Sequence, residues 1–123
     1  MLGFGRRSPG FFGSVGSYRA SHLRQHVSRR VWEESFAAMN GWERRTIKLR
    51  AGAQMLFRWE AQVSGGSLVM ELLAPDGSAA LRWEAQPPVT TPFVATLPGR
   101  YVVRMTADHA AGSFRLEILP AGG

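Results

Sequence analysis

Cysteine is absent from the 123-residue chain. Disulfide bonds and cysteine-ligated metal sites are therefore excluded. This absence leaves the cellular compartment open, because proteins without disulfides occur both inside and outside the cell. Long apolar runs are missing as well. No stretch approaches the roughly 20 apolar residues that a membrane span requires, so no transmembrane segment is predicted.

Acidic residues are missing from the first 30 positions, which contain six arginines. In the rest of the chain nine basic residues are balanced by nine acidic ones, so the net charge of +6 belongs to the N-terminal segment. Aromatic residues interleave with the arginines, a combination suited to phosphate binding with stacking or to an anionic membrane surface. The competing interpretation is a solubilising tail. The candidate polyanion-binding residues are Arg6, Arg7, Arg19, Arg24, Arg29 and Arg30.

Glycine and serine are frequent in residues 1–20, which have too few apolar side chains to offset the entropy lost on folding. We therefore predict a flexible arm over residues 1–29, and a short helix within residues 20–29 is compatible with the pattern. The stretch that follows Arg6 and Arg7 lacks the apolar core of an export signal. This favours a cytoplasmic location.

Apolar residues recur at every second position from Ala53 to Ile118. Met55, Phe57 and Trp59, for example, alternate with polar residues. Glycine- and proline-rich segments interrupt the pattern and are too short for the crossovers that parallel strands need. The chain is therefore predicted to be all-β, an antiparallel sandwich of the jelly-roll or immunoglobulin type with seven or eight strands over residues 30–120. Turns or loops between strands are predicted at 64–67, 75–78, 98–99 and 109–112.

Residues 21–39 fit two structures. As a helix, apolar residues recur at intervals of four and Asn40-Gly41 would end it. As a strand beginning near Val31, Trp32, Glu34 and Phe36 share one face, and Asn40-Gly41 becomes a hairpin turn. We favour the strand, although Glu34 interrupts the apolar alternation.

Three of the four tryptophans carry specific expectations. Trp59 and Trp83 lie in the same pentapeptide, Arg-Trp-Glu-Ala-Gln, at 58–62 and 82–86. We interpret these copies as two strands of similar type with the tryptophan in the core. Trp42 follows Asn40-Gly41, and as an exposed aromatic it would stack on a sugar ring or dock a peptide. The competing interpretation is local packing of the turn.

No constellation of catalytic, cofactor-binding or metal-binding residues is predicted. His22 and His26 lack the third ligand that a zinc site needs. His109 lies beside Asp108, but no serine stands in a Gly-x-Ser-x-Gly elbow. The adjacent carboxylates at 33–34 would point to opposite faces of a strand. We therefore predict that the protein is not an enzyme and requires no cofactor.

Three segments resemble the bacterial extracytoplasmic accessory sandwiches known as pre-peptidase C-terminal and GOLD-type domains. They are the strand and Pro-Asp-Gly turn at 68–77, the Pro-Gly-x-Tyr signature at 97–105 and the Gly-Ser-aromatic signature at 112–116. The resemblance covers residues 44–119 and implies a binding or accessory role at the cell envelope or outside the cell. Calcium accompanies acidic loops in some pre-peptidase domains. The loops here offer only Asp76 and Asp108, so no calcium site is carried over.

These observations predict a non-catalytic binding module whose ligand is a protein, a peptide or a glycan. The alternative is an intracellular module that binds nucleic acid or another polyanion, such as an anionic membrane surface, through the N-terminal arginines. The sequence leaves the oligomeric state open.

Overall fold

The computed structural model describes residues 9–121 of the chain. They form seven strands: β1 Phe11–Ser21, β2 Arg24–Val27, β3 Val31–Leu49, β4 Gln54–Leu73, β5 Ala79–Glu84, β6 Val89–Val94 and β7 Gly99–Pro120. Every pairing between them is antiparallel. The predicted all-β antiparallel fold is confirmed. No helix in this part of the chain has the length and apolarity to cross a membrane.

Three long strands form the centre of the sheet. β3, β4 and β7 have 19, 20 and 22 residues, and β7 pairs with β3 on one side and with β4 on the other. The register shifts near the middle of each pairing, between Phe36 and Gly41 in β3 and between Val63 and Ser67 in β4. Because these irregularities are neighbours in the sheet, the three strands bend together and the sheet folds over itself.

The fold-over divides the sheet into two layers. The first layer contains residues 31–36, 54–63 and 112–120 of the long strands, with β2 and β6 at its edges. The second layer contains residues 39–49, 67–73 and 99–110, with β1 and β5 at its edges. The long strands thus contribute one half to each layer.

Aromatic side chains join the two layers into a sandwich. Trp59 of the first layer stacks on Trp83 of the second, with ring centroids 6.2 Å apart. Phe93 and Tyr101 meet edge to face across the layers at 5.8 Å. Trp59 and Trp83 are 0% and 5% exposed, which confirms the predicted core positions. Burying a large apolar side chain of this kind stabilises the fold by roughly 1.5–3 kcal/mol.

Close backbone contacts shape the bends. Gly66 of β4 has a φ of 72°, and a side chain there would collide with the carbonyl oxygens of Asp108 and His109 on β7. A side chain at Gly112 would likewise collide with the carbonyl oxygen of Gln62. The predicted turns at 40–41 and 64–67 and the predicted loop at 109–112 are therefore wrong. Each is a bend inside a continuous strand, because the neighbouring strands keep their backbone pairing on both sides of it.

The predicted flexible arm over residues 1–29 is also wrong where the structure describes it. Residues 11–21 form β1 and residues 24–27 form β2, so the sheet begins before residue 30 and no helix occupies 20–29. Only Phe11 of β1 is buried. Side-chain composition did not predict β1, because this strand is held by backbone hydrogen bonds to β3 and not by side-chain burial. The predicted strand from Val31 is confirmed, and residues 1–8 lie outside the described residues.

Adjacent glycines in the β4 bend provide a matched test of this geometry. We expect Gly66→Ala to lower the free energy of unfolding by about 1–3 kcal/mol, because alanine at a positive φ is strained and its Cβ meets the β7 backbone. Gly65→Ala should change it little, because no atom lies within 4 Å of the added Cβ. Urea denaturation of both variants measures the difference. Equal stabilities would show that β4 and β7 are not in close contact at the bend.

Candidate functional site

Polar side chains project from the outer face of the first layer, opposite the core. The strand register aligns them in two rows that cross β2, β3, β7 and β4. One row contains Arg24, Ser35, Ser113 and Gln62, and the other contains His26, Glu33, Arg115 and Glu60. A groove of about 460 Å³ runs over these rows. We call it the polar groove.

The far wall of the polar groove is the segment that follows β5. Gln86, Pro87 and Pro88 line the groove there. The backbone carbonyl of Gln86 accepts a hydrogen bond from the Ala61 amide of β4 at 3.0 Å. The indole N–H of Trp59 donates to the Glu84 carbonyl at 2.7 Å. These two bonds fix the wall against β4, and the exposed proline rings give it an apolar surface.

Charges in the polar groove are partly paired and partly open. Arg115 is held between two carboxylates, with its Nε 3.4 Å from Glu33 and its guanidinium 2.8 Å from Glu117. Within residues 9–121 the side chains of Glu60 and Gln62 form no hydrogen bond or ion pair. The groove therefore combines an oriented guanidinium with a free carboxylate and a free amide.

The predicted polyanion-binding arginines are not brought together among the described residues. Arg24 lines the polar groove, whereas Arg19 lies on β1 at the edge of the other layer. Arg29 and Arg30 stand between β2 and β3, where their carbonyls accept bonds from the Phe11 and Ile118 amides. Arg6 and Arg7 lie outside the described residues. Their joint role in polyanion binding stays a prediction.

Trp42, the predicted exposed aromatic, is half-buried on the outer face of the second layer. The guanidinium of Arg44 lies over its ring, 5.6 Å from the ring centroid. Trp42 thus belongs to a sheet surface and not to a hairpin turn, and it does not line the polar groove.

The histidines do not assemble a metal or catalytic site in this part of the chain. His22 and His26 are exposed. His109 Nδ1 lies 2.7 Å from the Asp108 carboxylate in an exposed pair at the β7 bend. No three histidine, aspartate or glutamate side chains within residues 9–121 are placed to hold a metal ion.

A cluster of buried charges that was not predicted from the sequence faces the core. Glu34, Glu43 and Arg45 of β3 are 3%, 2% and 9% exposed. One carboxylate oxygen of Glu34 accepts hydrogen bonds from Trp32 Nε1 at 2.8 Å and from Gln25 Nε2 at 2.7 Å. The matching oxygen of Glu43 accepts from Gln25 and from Arg45, both at 3.1 Å. The cluster thereby ties the edge strand β2 to both layers.

Burial raises the pKa of Glu34 to about 8, with a further contribution from hydrogen bonding to Glu43. The second carboxylate oxygens of Glu34 and Glu43 are buried and have no hydrogen-bond partner within residues 9–121. A proton on Glu34 offsets the repulsion between the two carboxylates. Partial burial and the charges of Glu43 and Glu34 also raise the pKa of Tyr18, which places β1 beside the same cluster. The available signal was that Glu34 shares a face with Trp32 and Phe36.

Neither a known family model nor a curated protein sequence matches the chain. Among solved structures, the apo form of BiXyn10A CBM1 superposes with a TM-score of 0.51 at 11% identity, covering 90% of this chain and 92% of that chain. TmCBM61 in complex with β-1,4-galactotriose gives a TM-score of 0.48 at 11% identity, with coverages of 85% and 83%. The carbohydrate-binding module CBM6cm-2 from Cellvibrio mixtus lichenase 5A, in complex with cellotriose, gives 0.45 at 12% identity, with coverages of 85% and 91%.

The protein has a β-sandwich fold. The superposition on BiXyn10A CBM1 supports this assignment. At 11% identity it is evidence for the fold alone. The other two structures have TM-scores below 0.5 and add nothing to the fold assignment. The expected resemblance to an accessory sandwich is thus supported at the level of fold. No comparison supports the finer assignment to pre-peptidase C-terminal or GOLD-type domains.

The buried cluster predicts a stability that depends on pH. The folded protein retains the Glu34 proton up to about pH 8, whereas the unfolded chain releases it near the ordinary value of 4.5. The folded state therefore binds more protons in this window, and the free energy of unfolding falls as the pH rises through it. We expect a fall on the order of 4 kcal/mol between pH 5 and pH 9, because a pKa difference of one is worth about 1.4 kcal/mol and most of the difference lies within this window.

Glu34→Gln should remove most of this decline, because glutamine keeps a donor and an acceptor without titrating. Glu60→Gln is the control, since Glu60 projects from the outer face of the first layer and makes no hydrogen bond or ion pair with the cluster. Urea denaturation at several pH values provides the comparison. Identical slopes for the wild type and Glu34→Gln would contradict the assignment.

Proposed function

We propose that the protein is a non-catalytic module that binds a glycan in the polar groove. The observation that carries this proposal is the set of polar groups that converge there: a free carboxylate on Glu60, a free amide on Gln62 and the oriented guanidinium of Arg115. Sugar hydroxyls both donate and accept hydrogen bonds, so they match a surface of mixed donors and acceptors.

The shape of the polar groove favours a chain of sugars over a single one. Its two rows cross four adjacent strands. Neighbouring strands lie about 4.8 Å apart, so the outer two are separated by roughly 14 Å. The groove extends further, to the wall at Pro87 and Pro88. An oligosaccharide lying across the strands would contact both rows and the wall.

The groove offers little aromatic surface to a ligand. Phe114 is the aromatic residue among those that line it, and its ring packs in the core against Trp32 at 5.5 Å. The apolar contact available to a sugar is therefore the pair of proline rings at 87–88. Binding should then depend on hydrogen bonds, with a favourable enthalpy and a modest affinity.

A binding role also fits the position of the acid with the raised pKa. The Glu34 carboxyl faces the core, where Trp32 and Gln25 hold it. Glu34 and Gln25 also line the polar groove, but these hydrogen bonds commit the Glu34 carboxyl to the buried cluster. Within the polar groove, the Glu33 carboxylate is paired with Arg115. These contacts favour holding a ligand over transferring a proton to it.

The proposal is tested by titrating soluble neutral polysaccharides, namely a β-glucan, a xylan, a galactan and a mannan, into the full chain by calorimetry. We expect at least one to bind with a favourable enthalpy. Gln62→Ala should weaken that binding about two- to tenfold, because a hydrogen bond to a ligand is worth roughly 0.5–1.5 kcal/mol. Gln54→Ala is the matched control, because Gln54 is also an exposed glutamine of β4 and does not line the groove.

Two results would overturn the proposal. One is that none of the four polysaccharides binds at millimolar concentrations of sugar units. The other is that Gln62→Ala and Gln54→Ala weaken binding equally, which would place the ligand elsewhere on the molecule.

A further inference from the structure

The outer faces of the two layers differ in charge. Three arginines and three glutamates are balanced on the outer face of the first layer: Arg24, Arg58, Arg115, Glu33, Glu60 and Glu117. On the outer face of the second layer, six cations stand against three acids. The cations are Arg19, Arg44, Lys48, Arg82, Arg100 and Arg104, and the acids are Glu71, Glu84 and Asp108. We call this surface the cationic face.

The acids of the cationic face are already paired. Glu71 binds Arg104 at 2.9 Å and Glu84 binds Arg82 at 2.6 Å. Asp108 is engaged by the neighbouring His109. Four of the cations form no ion pair within the described residues: Arg19, Arg44, Lys48 and Arg100. The surplus positive charge is therefore available to a ligand.

Like charges stand directly opposite each other on this face. Arg44 of β3 pairs in register with Arg104 of β7, and Lys48 pairs with Arg100. Opposed like charges destabilise an antiparallel pair. An anion placed between them would relieve this repulsion, and most of all at Lys48 and Arg100, because Glu71 already compensates part of the charge of Arg104.

A cavity of about 290 Å³ lies beside the first of these pairs. It is lined by Trp42, Arg44, Leu73, Val102, Arg104 and Thr106. Its walls thus combine one aromatic ring, two aliphatic side chains and two guanidinium groups. Guanidinium groups bind carboxylate and sulfate oxygens in a forked geometry, and the Trp42 ring, with the Arg44 guanidinium 5.6 Å from its centroid, supports one of them.

We infer that the cationic face is a second binding surface, and that its ligand is a polysaccharide bearing carboxylate or sulfate groups. This inference does not depend on ligand binding in the polar groove. Single-stranded nucleic acid shares the negative charge, but it binds on successive stacked rings. Here the second aromatic residue, Phe12, pairs with Thr46, four positions along β3 from Trp42 and roughly 13 Å away. A single ring flanked by arginines fits one acidic sugar better than it fits a row of stacked bases.

The experiment compares two forms of one polymer. Polygalacturonate and its fully methyl-esterified form share a backbone, and only the first carries free carboxylates. Dextran sulfate and dextran make the same comparison for sulfate. We expect the full chain to bind at least one of the charged forms, with an affinity that falls steeply as sodium chloride is raised. We expect no binding to the neutral forms at the cationic face.

Arginine-to-glutamine variants on the two outer faces locate the site. The double variant Arg44→Gln and Arg100→Gln should weaken binding of the charged polymer at least tenfold. Arg58→Gln should change it less than twofold, because Arg58 is an exposed arginine of the first layer. Circular dichroism checks that each variant is folded. Gln62→Ala should leave binding of the acidic polymer unchanged, so failure at the polar groove is distinguished from failure here.

Three outcomes would overturn the inference. The charged polymers could fail to bind at low salt, or the double variant and Arg58→Gln could lose affinity equally. The third is that oligo-dT binds more tightly than either charged polymer and loses affinity in the double variant. That result would make the face a surface for single-stranded nucleic acid.

Discussion

Continuous backbone pairing of β7 with both β3 and β4 is the constraint on which the rest of this structure depends. Three neighbouring strands cannot bend independently, because each shares hydrogen bonds with the next on both sides of the bend. The irregular positions therefore lie side by side. The Asn40 side chain on β3 even accepts a hydrogen bond from the backbone amide of His109 on β7, at 3.0 Å. Once the strands bend together, their apolar faces meet and the core closes.

The closed sandwich also buries charged side chains. β3 carries Glu34, Glu43 and Arg45 into the interior with its apolar residues, and buried charges are costly unless they are paired. The Arg45 guanidinium lies 4.8 Å from the centroid of the Trp32 ring and binds Glu43. Gln25 of β2 contacts both carboxylates. Polar contacts thus hold an edge strand whose own side chains are largely exposed.

Alternation along the strands creates both outer faces. Their charges differ because different residues occupy the outward positions in the two layers. Every second residue of each strand must face outward, and the same long strands supply both layers. The outward positions of β3 include Glu33 and Ser35 before the bend, and Trp42, Arg44 and Lys48 after it. A single strand thereby contributes to a balanced polar groove on one side and to a cationic face on the other.

Alternation along the chain was enough to predict the all-β fold, the core positions of Trp59 and Trp83 and the opposite orientation of Glu33 and Glu34. These properties are local, because neighbouring side chains on a strand point to opposite faces. The tertiary structure alone decided that the glycine-containing segments near Gly41, Gly66 and Gly112 bend within strands and do not reverse the chain. It also decided that β1 joins the sheet and which outward residues become neighbours. Those outcomes depend on the register between residues far apart in sequence, such as Gln62 and Ser113. Alternation within one strand sets which face each side chain takes, but it does not determine which strands pair.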